Sequence, residues 1–184
     1  TILLLALLFW PALAQAETLI MSLSTHRVQI MSNYTGAQLA VFAVIDRDAR
    51  TVARVGPYDV VVTVRGPREA VVVHEKQKTM GIWINRERRT FVNIPSFVQV
   101  LSTRPIQDFM EPERARRFQL GLISIVTPPG ITMDVDARAA DFRASLVRLR
   151  YENGLYREQE RGVTFLTPNV LQASIALPAI APLG

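Results

Sequence analysis

Asp59-Val60-Val61-Val62-Thr63-Val64-Arg65-Gly66-Pro67 is the stretch on which the reading of this chain turns. Val60, Val62 and Val64 project to one side, and Val61, Thr63 and Arg65 to the other. A two-residue period carried by β-branched side chains describes a strand with one face buried. Gly66-Pro67 then predicts a turn, after which Val71 to Glu75 runs back.

The same grammar extends both ways. Leu39 to Ile45 is nearly all apolar, as suits a strand buried on both faces. Leu19 to Ser24 and Arg27 to Met31 read as short strands around a turn at Thr25-His26. Downstream, Ile82-Trp83-Ile84-Asn85 follows Gly81, and Arg89 to Pro95 and Phe97 to Ser102 complete the β-rich part. Val163 to Leu166 and Val170 to Leu177 return to β after Gly162. Short strands at this spacing predict a mainly β fold, an immunoglobulin-like β-sandwich without the usual cysteine pair.

Two inserted helices are expected, at about 111–122 and 137–152. Pro112 suits the first helical position, and Glu111 and Glu113 suit the positive end of the helix dipole. After a loop at Thr127-Pro128-Pro129-Gly130, Asp134 or Asp136 can cap the second helix. Phe142, Leu146 and Leu149 form its apolar stripe, with Asp141, Arg143 and Arg150 projecting elsewhere. Asn153-Gly154 is its stop signal.

The N-terminal stretch places the protein. Ile2 to Leu8 is unbroken apolar sequence, and Ala14-Gln15-Ala16 closes the segment. This is the late part of a secretory signal peptide, residues 1–16, with cleavage before Glu17. The alternative is an uncleaved anchor, although a bilayer span takes about 20 apolar residues. The absence of Met and of a basic leader before Thr1 leads us to expect a piece of a longer chain. So does the end at Ala179-Ile180-Ala181-Pro182-Leu183-Gly184, a loop that usually leads into another strand. Residues 17–184 then form one exported, periplasmic β-rich domain.

Composition narrows the chemistry. There is no cysteine, which excludes disulfides, Cys-ligated zinc and thiol catalysis. The net charge is +5, and all but two of the 21 basic residues are arginine. These arginines come in bursts mixed with acids, without the basic stripe and stacking aromatics of a nucleic-acid binder. No nucleic-acid partner is expected. His26 and His74 stand 48 positions apart in sequence, without carboxylates at ligand spacing. Asp134 and Asp136 are explained by capping. There is no P-loop and no dinucleotide fingerprint, so no catalytic, cofactor or metal residue is assigned. If a small anion binds, the donors are Arg86, Arg88 and Arg89, or Arg114, Arg116 and Arg117. Trp83 is expected in the core. The alternative is an exposed aromatic patch with Phe91 and Phe97. Asn33-Tyr34-Thr35 fits a glycosylation sequon, which matters only in a eukaryotic secretory pathway.

The order of several short motifs resembles one bacterial family. They are Leu23-Ser24-Thr25-His26-Arg27-Val28-Gln29-Ile30, Tyr34-Thr35-Gly36-Ala37-Gln38-Leu39, Val64-Arg65-Gly66-Pro67, Gly81-Ile82-Trp83-Ile84-Asn85 and Asn93-Ile94-Pro95-Ser96-Phe97. Ser102-Thr103-Arg104-Pro105, Phe142-Arg143-Ala144-Ser145-Leu146-Val147-Arg148-Leu149 and Gly154-Leu155-Tyr156 complete the set. The resemblance is to the uncharacterised "putative transmembrane protein" family typical of alphaproteobacteria, and it spans nearly all of the chain after residue 16. It implies an exported β-rich domain followed by one C-terminal transmembrane helix. It also implies a setting beside sulfite-exporter-like permeases, and it brings no catalytic residues. The expected role is a non-catalytic domain on the periplasmic face of the inner membrane, accessory to a membrane protein. The alternative is a small-anion-binding protein or enzyme using an Arg-rich face.

Overall fold

In the computed structural model of the chain, residues 17–25, 27–29, 33–47, 56–127 and 137–181 are described. The apolar segment 1–16, His26, the loop expected after Thr127, and Asp134 and Asp136, the expected caps, lie outside them. The fold is mainly β, as expected. Its strands are β1 (Thr18–Leu23), β2 (Gly36–Asp46), β3 (Val61–Arg65), β4 (Arg68–Thr79), β5 (Ile82–Pro95), β6 (Val98–Ser102), β7 (Tyr156–Gln159), β8 (Val163–Thr167) and β9 (Val170–Pro178). Its helices are α1 (Pro112–Arg117), α2 (Leu122–Val126) and α3 (Ala137–Glu152). Arg27 to Gln29, expected in a strand, has no regular structure.

Gly66-Pro67 is a kink and not a reversal. β3 pairs antiparallel with β6, and β4 with β5. The Gly66 N–H donates to the Phe97 carbonyl at 2.8 Å, and the Ser96 N–H to the Pro67 carbonyl at 2.8 Å. Residues 61–102 are therefore one long hairpin, bent where Gly66-Pro67 crosses Ser96-Phe97. The chain reverses instead at Met80-Gly81, where φ is +51° and +86°, as in the tight hairpin turns that match strand twist. The two strands expected at 82–85 and 89–95 are one strand, β5, with a register shift between Glu75 and Lys76.

The kink requires glycine because the two arms nearly touch. A Cβ on Gly66 would lie 2.7 Å from the Ser96 hydroxyl oxygen and 3.1 Å from the Phe97 nitrogen. Ser96 is itself buried, so the clash cannot be relieved into solvent. Gly66→Ala is expected to lower stability by about 1–3 kcal/mol, the usual range for overpacking. An unchanged midpoint in urea would show that the arms part freely.

Two sheets face each other. The larger has the order β1-β2-β9-β8, and the smaller β3-β6-β7. Between them lie Val41, Ala43, Ile45, Leu101, Leu171, Ala173 and Ile175, with Val60, Val62 and Val64 packed against them. The outer face of the smaller sheet carries a second core. There Val98, Val100 and Tyr156 meet Leu122, Ile125, Val126, Phe142 and Leu146 of the helices. Val61 joins this second core, so the valines of β3 divide between the two sides as their alternation predicts. β6 is buried at all five positions because it separates the two cores. β7 runs parallel to β6, and the helices occupy the crossover between them. This parallel pair sets the smaller sheet apart from the antiparallel sheets of immunoglobulin domains.

The helix expected at 111–122 stops at Arg117, and a separate helix, α2, begins at Leu122. The Leu120 N–H reaches back to the Ala115 carbonyl, and the Gln119 N–H to the Arg116 carbonyl. With Gln119 left-handed at φ +53°, this is a Schellman stop. Gly121, at φ +86°, then redirects the chain into α2. α3 spans 137–152 as read from sequence, and Gly154 closes it with φ +72°.

The buried face of α3 differs from the predicted stripe. Ala139, Phe142, Arg143 and Leu146 are buried, whereas Leu149 is 44% exposed. At about 100° per residue, Ala139, Arg143, Leu146 and Arg150 define the centre of the packed face. Phe142 and Leu149 lie toward one edge of it. Arg143 does not project away: it is only 7% exposed, with its guanidinium 5.8 Å from the centre of the Phe91 ring. Its Nε has no hydrogen-bond partner among the described residues.

Candidate functional site: a cleft between α3 and the hairpin

α3 is pinned along the β4–β5 arm at both ends. Arg138, in its first turn, pairs with Glu87 of β5, and Arg150, in its last turn, pairs with Glu69 of β4. The Glu87 carboxylate raises the Arg138 pKa above its already high ordinary value, chiefly through their hydrogen bond. Between the pins the apolar rows of helix and hairpin meet through Val73 and Phe142.

Beside that contact a cleft of about 600 Å³ opens, lined by Val73 to Lys76 and by Arg138, Asp141, Phe142, Ser145, Arg148 and Leu149. That volume lies in the range of small-molecule sites. Val73, Phe142 and Leu149 supply apolar lining. Arg138, Arg148 and Lys76 bring three cations against Glu75 and Asp141. Arg138 is already occupied by Glu87, whereas Arg148 has no ion-pair partner among the described residues. Ser145 and His74 both line the cleft, but no hydrogen bond joins them among the described residues. No group of three His, Asp or Glu side chains there can hold a metal ion, again among the described residues. The carboxyl that burial pushes up, Glu158 of β7, lies outside the cleft, and the Leu122 N–H partly offsets that shift.

None of the six arginines expected to hold an anion lines this cleft, and each trio is divided. In β5, Arg89 stands opposite Val73 on the face turned to α3, and Arg88 stands opposite His74 on the other face. Arg86 sits at the register shift and donates to Gln77 at 2.6 Å. In α1, Arg116 turns to Glu113, while Arg114 and Arg117, one turn apart, are exposed. Helical spacing separates Arg116 from the other two. The signal for the cleft was in the sequence: Arg138, Asp141, Ser145 and Arg148 recur at intervals of three and four, a polar row along one helix.

Trp83 is not in the core. It is 64% exposed near the hairpin tip, whereas Phe97 is buried and Phe91 is half-buried against α3. These three rings therefore form no common patch. Elsewhere, charged and aromatic groups serve the fold. Arg104 grips Asp59 through Nε and Nη2 at 2.6 and 2.8 Å and lies over Phe109. The Tyr58 hydroxyl accepts from Arg47 at 2.7 Å and donates to Glu17 at 2.8 Å, fixing the start of β1.

Comparison with known families matches residues 18–184 to the family described as "Putative transmembrane protein (Alph_Pro_TM)". No curated protein and no solved structure matches the chain. Among the described residues, no helix is long and apolar enough to cross a membrane.

Proposed function

Because the chain belongs to the putative transmembrane protein family, we propose that it works at a membrane, as an exported domain on the periplasmic face of the bacterial inner membrane. Its role there is non-catalytic, as an accessory to a membrane protein such as a sulfite-exporter-like permease. The observation that carries this reading is the family match over 18–184, directly preceded by an apolar run that ends in Ala14-Gln15-Ala16. Expression of the whole gene in a bacterium, followed by fractionation, tests it. The protein should sediment with membranes, be digested by protease added to spheroplasts, and start at Glu17 when sequenced. A soluble cytoplasmic product that retains Leu3 to Leu8 would overturn it.

A second reading draws on the cleft. Arg148 and Lys76 offer charge and hydrogen-bond donors suited to a small oxyanion. Titration calorimetry with sulfite, sulfate and phosphate at physiological salt tests this reading. A saturable micromolar site lost in Arg148→Ala would favour ligand binding over the accessory role. Heats that vanish with added salt would leave the accessory reading in place.

A further inference from the structure

The hairpin continues past its contact with α3. Beyond the facing pair Glu75 and Glu87, every residue of both strands is exposed through the turn. The tip carries Met80, Ile82, Trp83 and Ile84, exposed by 99%, 68%, 64% and 45%. The fold gives no reason for these residues. They touch neither core, and a tight turn with φ +51° at its first central position favours Asn or Gly over Met.

Their distribution identifies what covers them. Trp83 pairs with Lys78 on one face of the ribbon, and Ile82 and Ile84 pair with Thr79 and Gln77 on the other. Large apolar side chains therefore stand on both faces of the tip, whereas a flat partner would meet only one. Lys78 stands on the rung of Trp83 and Lys76 and Arg86 lie behind Ile84, a basic collar with no acid from residue 76 to residue 86. Lys76 and Lys78 are the only lysines in the chain. Acids return only at Glu75 and Glu87, about 17 Å back at about 3.3 Å per residue.

An apolar tip with a tryptophan and a collar of basic side chains complements one environment, the headgroup zone of an anionic bilayer. The lysine stems can lie along the acyl boundary with their ammonium groups at phosphate level. The outer edges of a two-stranded ribbon keep unpaired N–H and C=O groups, which hold insertion to the hydrated interface and out of the hydrocarbon. The apolar part spans two to three rungs, roughly 7–10 Å, which matches the depth to which interfacial elements bury. We propose that the β4–β5 hairpin tip inserts into an anionic lipid headgroup surface, with Met80, Ile82, Trp83 and Ile84 as the wedge and Lys76, Lys78 and Arg86 as its electrostatic collar. This contact does not depend on the accessory role proposed above.

The test uses the intact chain with Trp10→Phe, which leaves Trp83 as the sole indole. Vesicles rich in phosphatidylglycerol and carrying bromine-labelled acyl chains should shift Trp83 emission to the blue and quench it. Neutral phosphatidylcholine vesicles should do so weakly. Lys76→Glu with Lys78→Glu should weaken the quenching at least about fivefold for each lysine. Ile82→Asp should abolish it, and neither change should alter melting because these side chains are exposed. Any attachment through Leu3 to Leu8 is read separately, by sedimentation. Sedimentation with Trp83 still open to acrylamide would overturn the proposal, as would no vesicle binding at all. Quenching undiminished by the lysine reversals would overturn the collar. A blue shift without lipid that grows with protein concentration would assign the tip to a second copy of the chain instead.

Discussion

Tyr156→Ala is expected to cost about 3–5 kcal/mol, a large share of the roughly 5–15 kcal/mol that holds an ordinary domain folded. Tyr156 is fully buried in β7, where it joins the core under the helices. Its hydroxyl donates to the Pro95 carbonyl at 2.6 Å and so ties β7 to the bend of the hairpin. Tyr156→Phe keeps the ring and removes only this bond, at about 1–3 kcal/mol. Burial, reinforced by Glu69 and opposed by Arg150, pushes the phenol up to about 12. The unfolded chain ionises near 10. The folded state therefore favours the neutral phenol, and stability present below pH 10 is lost as pH rises toward 12. The Phe variant lacks that loss. The gap between the two proteins in urea unfolding should narrow from neutral pH to about pH 11. A gap of the same size at both would mean that the hydroxyl is free to ionise in the fold.

Leu146→Ala is expected to lose about 2–5 kcal/mol, and Leu149→Ala no more than about 0.5 kcal/mol. Leu146 faces the second core at the centre of the packed side of α3, whereas Leu149 lines the cleft. Chemical denaturation of the two variants reads the phase of the helix directly. Equal losses would restore the stripe expected from sequence, and a larger loss at Leu149 would rotate the helix.

That phase illustrates what the residues disclose by themselves. Helix α3 was legible in both length and ends, because helical spacing and the Asn153-Gly154 stop are local. Its buried side was not, because the periodicity of apolar residues takes no account of Arg143. A long arginine can be buried with its guanidinium over a ring, and Phe91 that supplies the ring lies 52 positions away. The alternation of Val60 to Val64 was equally plain, and both sides of it found apolar partners. Whether Gly66-Pro67 reverses the chain or bends it depends on Ser96 and Phe97, which no nearby residue announces. The parallel partner of β6 was missed for the same reason: Tyr156 to Gln159 is too short and too polar to read as a strand alone. Ile82-Trp83-Ile84 misled in the opposite sense. Its composition is that of a core strand, and only the length of the hairpin beyond α3 carries it into solvent. The six arginines of 86–89 and 114–117 cluster only along the chain. Strand alternation and helical pitch divide each trio, while Arg138 and Arg148, ten positions apart, line one cleft.

The burial of β6 on both sides governs how the molecule comes apart. A sandwich core and a helical core could in principle melt in turn, with one half surviving the other. Here Val98 and Val100 serve one core and Leu101 the other, along five residues of the same backbone. Neither core can loosen without removing a wall from its neighbour. Unfolding is thereby cooperative across the whole domain. A defect at Leu171 in the sandwich and a defect at Leu146 under the helices draw on one shared reserve of stability, and both displace a single transition.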